Sequence, residues 1–274
     1  MSTAHPLQSG ESTAKPLERS LKGRSPPALE DLRSVQPPPL SEGYIGLFYR
    51  RVSLPLSWLF ARIGVTANQV TGLWIAVGII ALASFASGNY WWTIAGALGL
   101  QLVILLDRAD GDVARYTDNR TLYGKYLDLL GHTLIKSLLF SCIALGVYVT
   151  RPRLWVLFLG ITGTLGMSVG AHLRFYRAYL LVIRNLKFEK RPPARNLVHK
   201  VARRVDNLWS THGLFGVLFV GAIAKLMTYV LVFYAVTAPL WALSVSLRIS
   251  RELRACDSDP SQCSCQYVGL DAYD

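Results

Sequence analysis

The run Leu105-Leu106-Asp107-Arg108-Ala109-Asp110-Gly111-Asp112-Val113-Ala114-Arg115 places acidic groups at the end of an otherwise apolar stretch. Carboxylates there are costly unless compensated, and ionisable residues at membrane depth mark function by default. On a helix, Asp107, Asp110, Gly111, Ala114 and Arg115 share an arc of roughly 140 degrees. A second stripe follows, with Gly124, Asp128 and His132 at i, i+4 and i+8 on one helical face. If the two helices pack antiparallel across the connection 116–123, three carboxylates converge. Unpaired, they would repel and take up protons; a divalent cation removes the conflict. An all-oxygen carboxylate set beside phosphate chemistry selects Mg²⁺ or Mn²⁺ over a soft metal, and two bridged ions are compatible with it. Gly111, Ala114 and Gly124 keep side chains away from the space between the carboxylates, leaving room for a pyrophosphate or a flat base. Arg115 can pair with a phosphate through its fork of donors.

The elements that must position these groups are membrane spans. Of the 274 residues, 51% are hydrophobic and 17% charged, against about a quarter charged in soluble proteins. Six apolar stretches approach the roughly 20 residues that a bilayer core requires: 69–87, 91–108, 126–149, 154–176, 208–224 and 227–248. The boundary between the last two, near Lys225, is the least sharply marked. A net charge of +12 on a soluble domain would suggest nucleic acid. Here the cations gather in the loops of one membrane face: Arg50, Arg51 and Arg62; Arg108, Arg115, Arg120 and Lys125; ten from Arg174 to Arg204; and Arg248, Arg251 and Arg254. The opposite loops carry Arg151, Arg153 and Lys225. The positive-inside rule then puts both termini and the site in the cytoplasm, as an even span number requires, and no nucleic-acid partner is expected.

Residues 1–43, rich in Ser, Pro and Gln, read as a disordered cytoplasmic tail. No apolar segment of a cleavable signal follows the start. Tyr44 to Ile63 interleaves apolar residues with Arg50, Arg51 and Arg62, which suits a helix lying in the cytoplasmic interface, bent at Pro55. Residues 44–250 form the membrane domain and 251–274 a cytoplasmic tail holding Cys256, Cys263 and Cys265, whose spacing matches no strong metal pattern. Cys142 reads as packing.

The spacing Asp107, two residues, Asp110-Gly111, two residues, Ala114-Arg115, eight residues, Gly124, three residues, Asp128, three residues and a final position resembles the signature of the CDP-alcohol phosphotransferases. All positions match except the last, where the family's aspartate is replaced by His132. A second likeness lies in Thr66-Ala67-Asn68-Gln69-Val70-Thr71, similar to the family's Pro-Asn-x-aliphatic-Thr opening with Ala67 for proline. The resemblance implies an all-α membrane fold of six transmembrane helices behind an N-terminal interfacial helix, paired as a homodimer among membrane lipids. It implies transfer of a substituted phosphate from a CDP-linked donor to an alcohol acceptor, with release of CMP, in phospholipid or related head-group synthesis. By position, Asp107, Asp110 and Asp128 would hold two Mg²⁺ or Mn²⁺ ions, and Gly111, Ala114, Arg115 and Gly124 would cradle CDP, supported by Asn68 and Thr71. His132 would take the role of the base, since neutral imidazole accepts a proton near neutral pH; the lost negative charge should weaken the second ion. The alternative is a non-catalytic scaffold or small transporter that kept the fold and lost the base.

Arg174 and Arg177, at i and i+3 on the fourth span, fall where relatives with phosphorylated acceptors bind that phosphate, which makes Arg174 a candidate substrate contact; interfacial anchoring is the plainer reading of the pair. The run Lys187, Lys190, Arg191, Arg195, Lys200, Arg203 and Arg204 reads as an anionic-lipid surface. His172 reads as a core histidine, and His199 and His212 have no ligand spacing. Gly160, Gly163 and Gly166 read as close helix packing. Asp112, Asp118 and Arg120 read as loop-proximal charges without a motif role.

Overall fold

The computed structural model describes residues 28–36, 44–183 and 208–258. The described residues are helical throughout, in eight helices: α1 (Leu29–Ser34), α2 (Tyr44–Ile63), α3 (Ala67–Ala86), α4 (Tyr90–Tyr116), α5 (Leu122–Thr150), α6 (Leu154–Ile183), α7 (Thr211–Ile223) and α8 (Met227–Ser258). Five of these, α3 to α6 and α8, are long and apolar enough to cross a membrane. The fifth expected span is the shorter α7, 13 residues, which reaches only about 20 Å at 1.5 Å per residue. The fold is an all-α integral-membrane bundle. Large apolar side chains such as Ile80, Trp91, Phe158 and Leu240 stand exposed on its outside, as a lipid-facing surface requires.

Side chains set where the helices begin. Thr66 caps α3 in a capping box: its hydroxyl accepts from Gln69 N while Thr66 N donates to Gln69 Oε1 at 2.9 Å. Asn89 accepts from the backbone of Trp91 and Trp92 at the start of α4, Thr121 from Gly124 N at the start of α5, and Ser210 from Gly213 N at the start of α7. The α4–α5 connection reverses through Asp118 at φ 51, an Asp being one of the few side chains that tolerate the left-handed region.

α3 packs against both α4 and α5, α6 against α5 and α8, and α2 and α7 against α4. α4 and α5 both pack against α3 rather than along each other's length, yet their side chains meet near their short connection, where His132 Nε2 lies 3.1 Å from Asp107 Oδ1. Glycines permit the close approaches. A Cβ on Gly131 of α5 would lie 2.3 Å from the Trp74 ring of α3. The close-packing reading of Gly160, Gly163 and Gly166 holds: Gly160 and Gly163 lie against Ala144 and Phe140 of α5, and Gly166 against Ala238 and Pro239 of α8. Trp74, Leu100, Ile104, Ile135, Leu139, Phe140, Phe215 and Tyr234 fill the interior.

Within the stretch expected to be disordered, α1 is a formed helix with Leu32 fully buried; one apolar anchor in a polar segment leaves no periodic signal to read. α2 runs through Pro55. The basic run from Lys187 to Arg204, His199, Cys263 and Cys265 lie outside the described residues.

Candidate functional site

α3, α4 and α5 meet at Asp107, Asp110, Asp128 and His132. His132, buried on α5, points Nε2 between two carboxylates, 3.1 Å from Asp107 Oδ1 and 3.3 Å from Asp128 Oδ1. Asp128 also lies 3.6 Å from Lys125 Nζ. Ligand atoms of Asp107, Asp128 and His132 all fall within 4.8 Å of one another, and among the described residues this is the cluster close enough to share a metal ion. Two carboxylates and an imidazole suit a divalent cation, so the residues fit the metal that the family uses.

Asp110 is turned toward α3. Its Oδ2 accepts from Thr71 Oγ1 at 2.6 Å and from Trp74 Nε1 at 2.8 Å. Trp74 also lays its ring 4.9 Å from the His132 ring, so one indole fixes two members of the site. Trp74 was not anticipated from the sequence. A signal existed, since Asn68, Thr71 and Trp74 continue one face of α3 at three-residue steps.

The small residues prove partly to make room for protein side chains. A Cβ on Gly124 would lie 2.6 Å from Asn68 Oδ1, and one on Gly111 would lie 3.2 Å from Arg115 Nη2. Asn68 therefore sits against Gly124, and the Arg115 guanidinium folds back over Gly111. Ala114 is half-buried on the same helix. Asp112, close to the end of α4, is 3% exposed and accepts from Arg115 Nη2 at 2.7 Å, Gln36 Nε2 at 2.7 Å and Ser57 Oγ at 3.1 Å.

Arg108 Nη2 lies 3.4 Å from His212 Nε2 on α7. Beside them Tyr49 of α2 hydrogen-bonds to Gln101, which in turn donates to the Phe215 carbonyl. Burial raises the Tyr49 phenol above its ordinary pKa, with the Arg108 charge acting in the opposite sense.

A cavity of about 290 Å³ opens from Asp128 and His132 between α5, α6 and α8, and Lys136, Arg174, Arg177 and Arg248 reach its wall. Arg174 lies over the Trp241 ring at 4.4 Å. Arg177 is not an exposed anchor; it is buried, with Nε 2.7 Å from Glu252 Oε2. His172 is likewise no core residue but an exposed one lining this cavity, its Nδ1 2.7 Å from the Ser168 carbonyl oxygen.

The structure thus brings Asp107, Asp128 and His132 together, sets Asp110, Asn68 and Thr71 on their border, holds Gly111, Ala114 and Arg115 along α4 beside them, and lines the neighbouring cavity with Arg174. No curated protein matches the chain. The family model described as CDP-alcohol phosphatidyltransferase matches residues 64–243, a span that includes α3 to α7 and most of α8. On that match the chain belongs to the CDP-alcohol phosphatidyltransferase family, which transfers a phosphate-linked group from a CDP-alcohol to an acceptor.

Proposed function

We propose that this protein catalyses metal-dependent transfer of a substituted phosphate group from a CDP-linked donor to an alcohol acceptor, releasing CMP, in the assembly of phospholipid or related head groups. The observation that carries this reading is the meeting of Asp107, Asp128 and His132 within 4.8 Å inside the stretch that the family model matches. Asp107, Asp110 and Asp128 are the metal ligands. Asp110 has Oδ1 to offer, Oδ2 being held by Thr71 and Trp74. Bound Mg²⁺ or Mn²⁺, as one or two ions, neutralises charge on the donor's pyrophosphate.

Gly111, Ala114, Arg115 and Gly124 cradle the CDP moiety, with Asn68 and Thr71 forming the pocket's α3 side. His132 takes the proton from the acceptor hydroxyl. The imidazolium so formed has two carboxylates within 3.3 Å, which favours the proton transfer. The acceptor oxygen attacks the phosphorus carrying the transferred group and CMP departs. Arg174, on the cavity beside His132, contacts the acceptor. The same reading puts the site and both termini on the cytoplasmic side, α2 in the interface, and two chains in a homodimer.

The test is CMP release from purified protein given a panel of CDP-linked donors and alcohols with Mg²⁺. Release with at least one pair, lost in a chelator and in Asp128→Asn, is expected. Silence across the panel favours a non-catalytic scaffold or transporter, and full-rate release by Asp128→Asn would sink the mechanism.

A further inference from the structure

Asp112 occupies an unassigned position inside the signature, yet it is the acidic group of α4 with the densest set of side-chain donors among those described. Arg115 reaches back one turn to Oδ1 at 2.7 Å. Oδ2 receives Gln36 Nε2 at 2.7 Å and the Ser57 hydroxyl at 3.1 Å. Ser57 is itself fully buried on α2. Gln36 is held from its other end, since its Oε1 accepts from Arg50 Nε at 2.8 Å. Three separate pieces of chain, the segment after α1, α2 and α4, therefore close on one carboxylate.

The consequence falls on Arg115. Its Nη atoms cross Gly111 so closely that an added Cβ would meet them at 3.2 and 3.3 Å, while its Nε is buried with no hydrogen-bond partner among the described residues. A long flexible side chain is thus fixed in one posture by a buried, fully occupied anion. Such fixing removes the rotamer entropy that a free arginine would lose on meeting a phosphate.

We infer that Asp112, supported by Gln36 and Ser57, is a positioning residue that holds the Arg115 guanidinium over Gly111 for the donor, making Gln36 a remote support of the donor pocket. This rests on the reading that Arg115 binds the CDP moiety.

The experiment is calorimetric titration of the purified full-length protein with CDP in Mg²⁺, for wild type, D112N, R115A and the D112N/R115A pair. D112N is expected to weaken CDP about tenfold, the worth of a charge-assisted hydrogen bond, and the double variant to bind no worse than R115A alone. Wild-type or tighter affinity in D112N, or losses that multiply in the double variant, overturns the positioning role. R115A with wild-type affinity instead removes the donor reading of Arg115 itself, so the two failures are distinct. Should D112N not fold, Q36A/S57A carries the test: CDP weakened about threefold supports the inference, and unchanged affinity overturns it.

Discussion

Trp74 and His132 show how much of this site depends on side chains reaching in from a third helix. Trp74→Phe keeps a ring over His132 but deletes the donor to Asp110; CMP release is expected to fall about tenfold, the cost of one hydrogen bond to a charged group, with little change in thermal melting. His132→Ala should lower turnover at least about a hundredfold, the range for loss of a general base, while CDP binding in a calorimeter stays near wild type. His132→Asp should restore part of the rate. Wild-type turnover in His132→Ala would remove the base assignment. Spacing made Asp128 and His132 legible as a pair, because i, i+4 geometry on one helix fixes which groups share a face, whereas their meeting with Asp107 of α4 depends on how the helices pack. Trp74 and Asp112 were not legible. A tryptophan in an apolar span reads as core, and an aspartate beside a loop reads as solvated, until partners from distant segments are known.

At the scale of elements, α3 is a wedge seated against both α4 and α5, and its seat depends on bare backbone. Gly131→Ala forces a methyl within 2.3 Å of Trp74 and is expected to cost about 2 kcal/mol, as overpacking does, lowering both melting temperature and CMP release. Gly72→Ala on the same wedge meets nothing within 4 Å and should leave both measurements near wild type. Equal effects from the two would refute the wedge. The apolar windows located α3 to α6 and α8 to within a few residues at their starts. The helices run on past these apolar windows where charge sets in: α4 continues to Tyr116 and α8 to Ser258, and Asp112, Arg115 and Glu252 find partners in the fold there. The wedge arrangement was illegible, because helix periodicity says which face is apolar but not which neighbour covers it.

For the molecule as a whole, the Arg177–Glu252 pair ties the polar ends of α6 and α8 together. Glu252→Ala is expected to lower stability by about 2 kcal/mol, between the surface and buried limits for an ion pair, measured as melting in detergent; Arg177→Ala/Glu252→Ala together should cost less than the sum. Strict additivity would show the pair to be energetically idle. The length of these two helices has a wider consequence. At 30 and 32 residues they extend about 45 and 48 Å, against a hydrocarbon layer of about 30 Å, so roughly a third of each rod stands clear of the oil. Arg174, Arg177, Arg248 and Glu252 occupy that outer third, and the cavity they border descends from it to His132 along an otherwise greasy wall. On the proposed function, that cavity straddles a phase boundary, open to a reactant delivered by water and to one delivered by lipid without either having to cross into the wrong solvent.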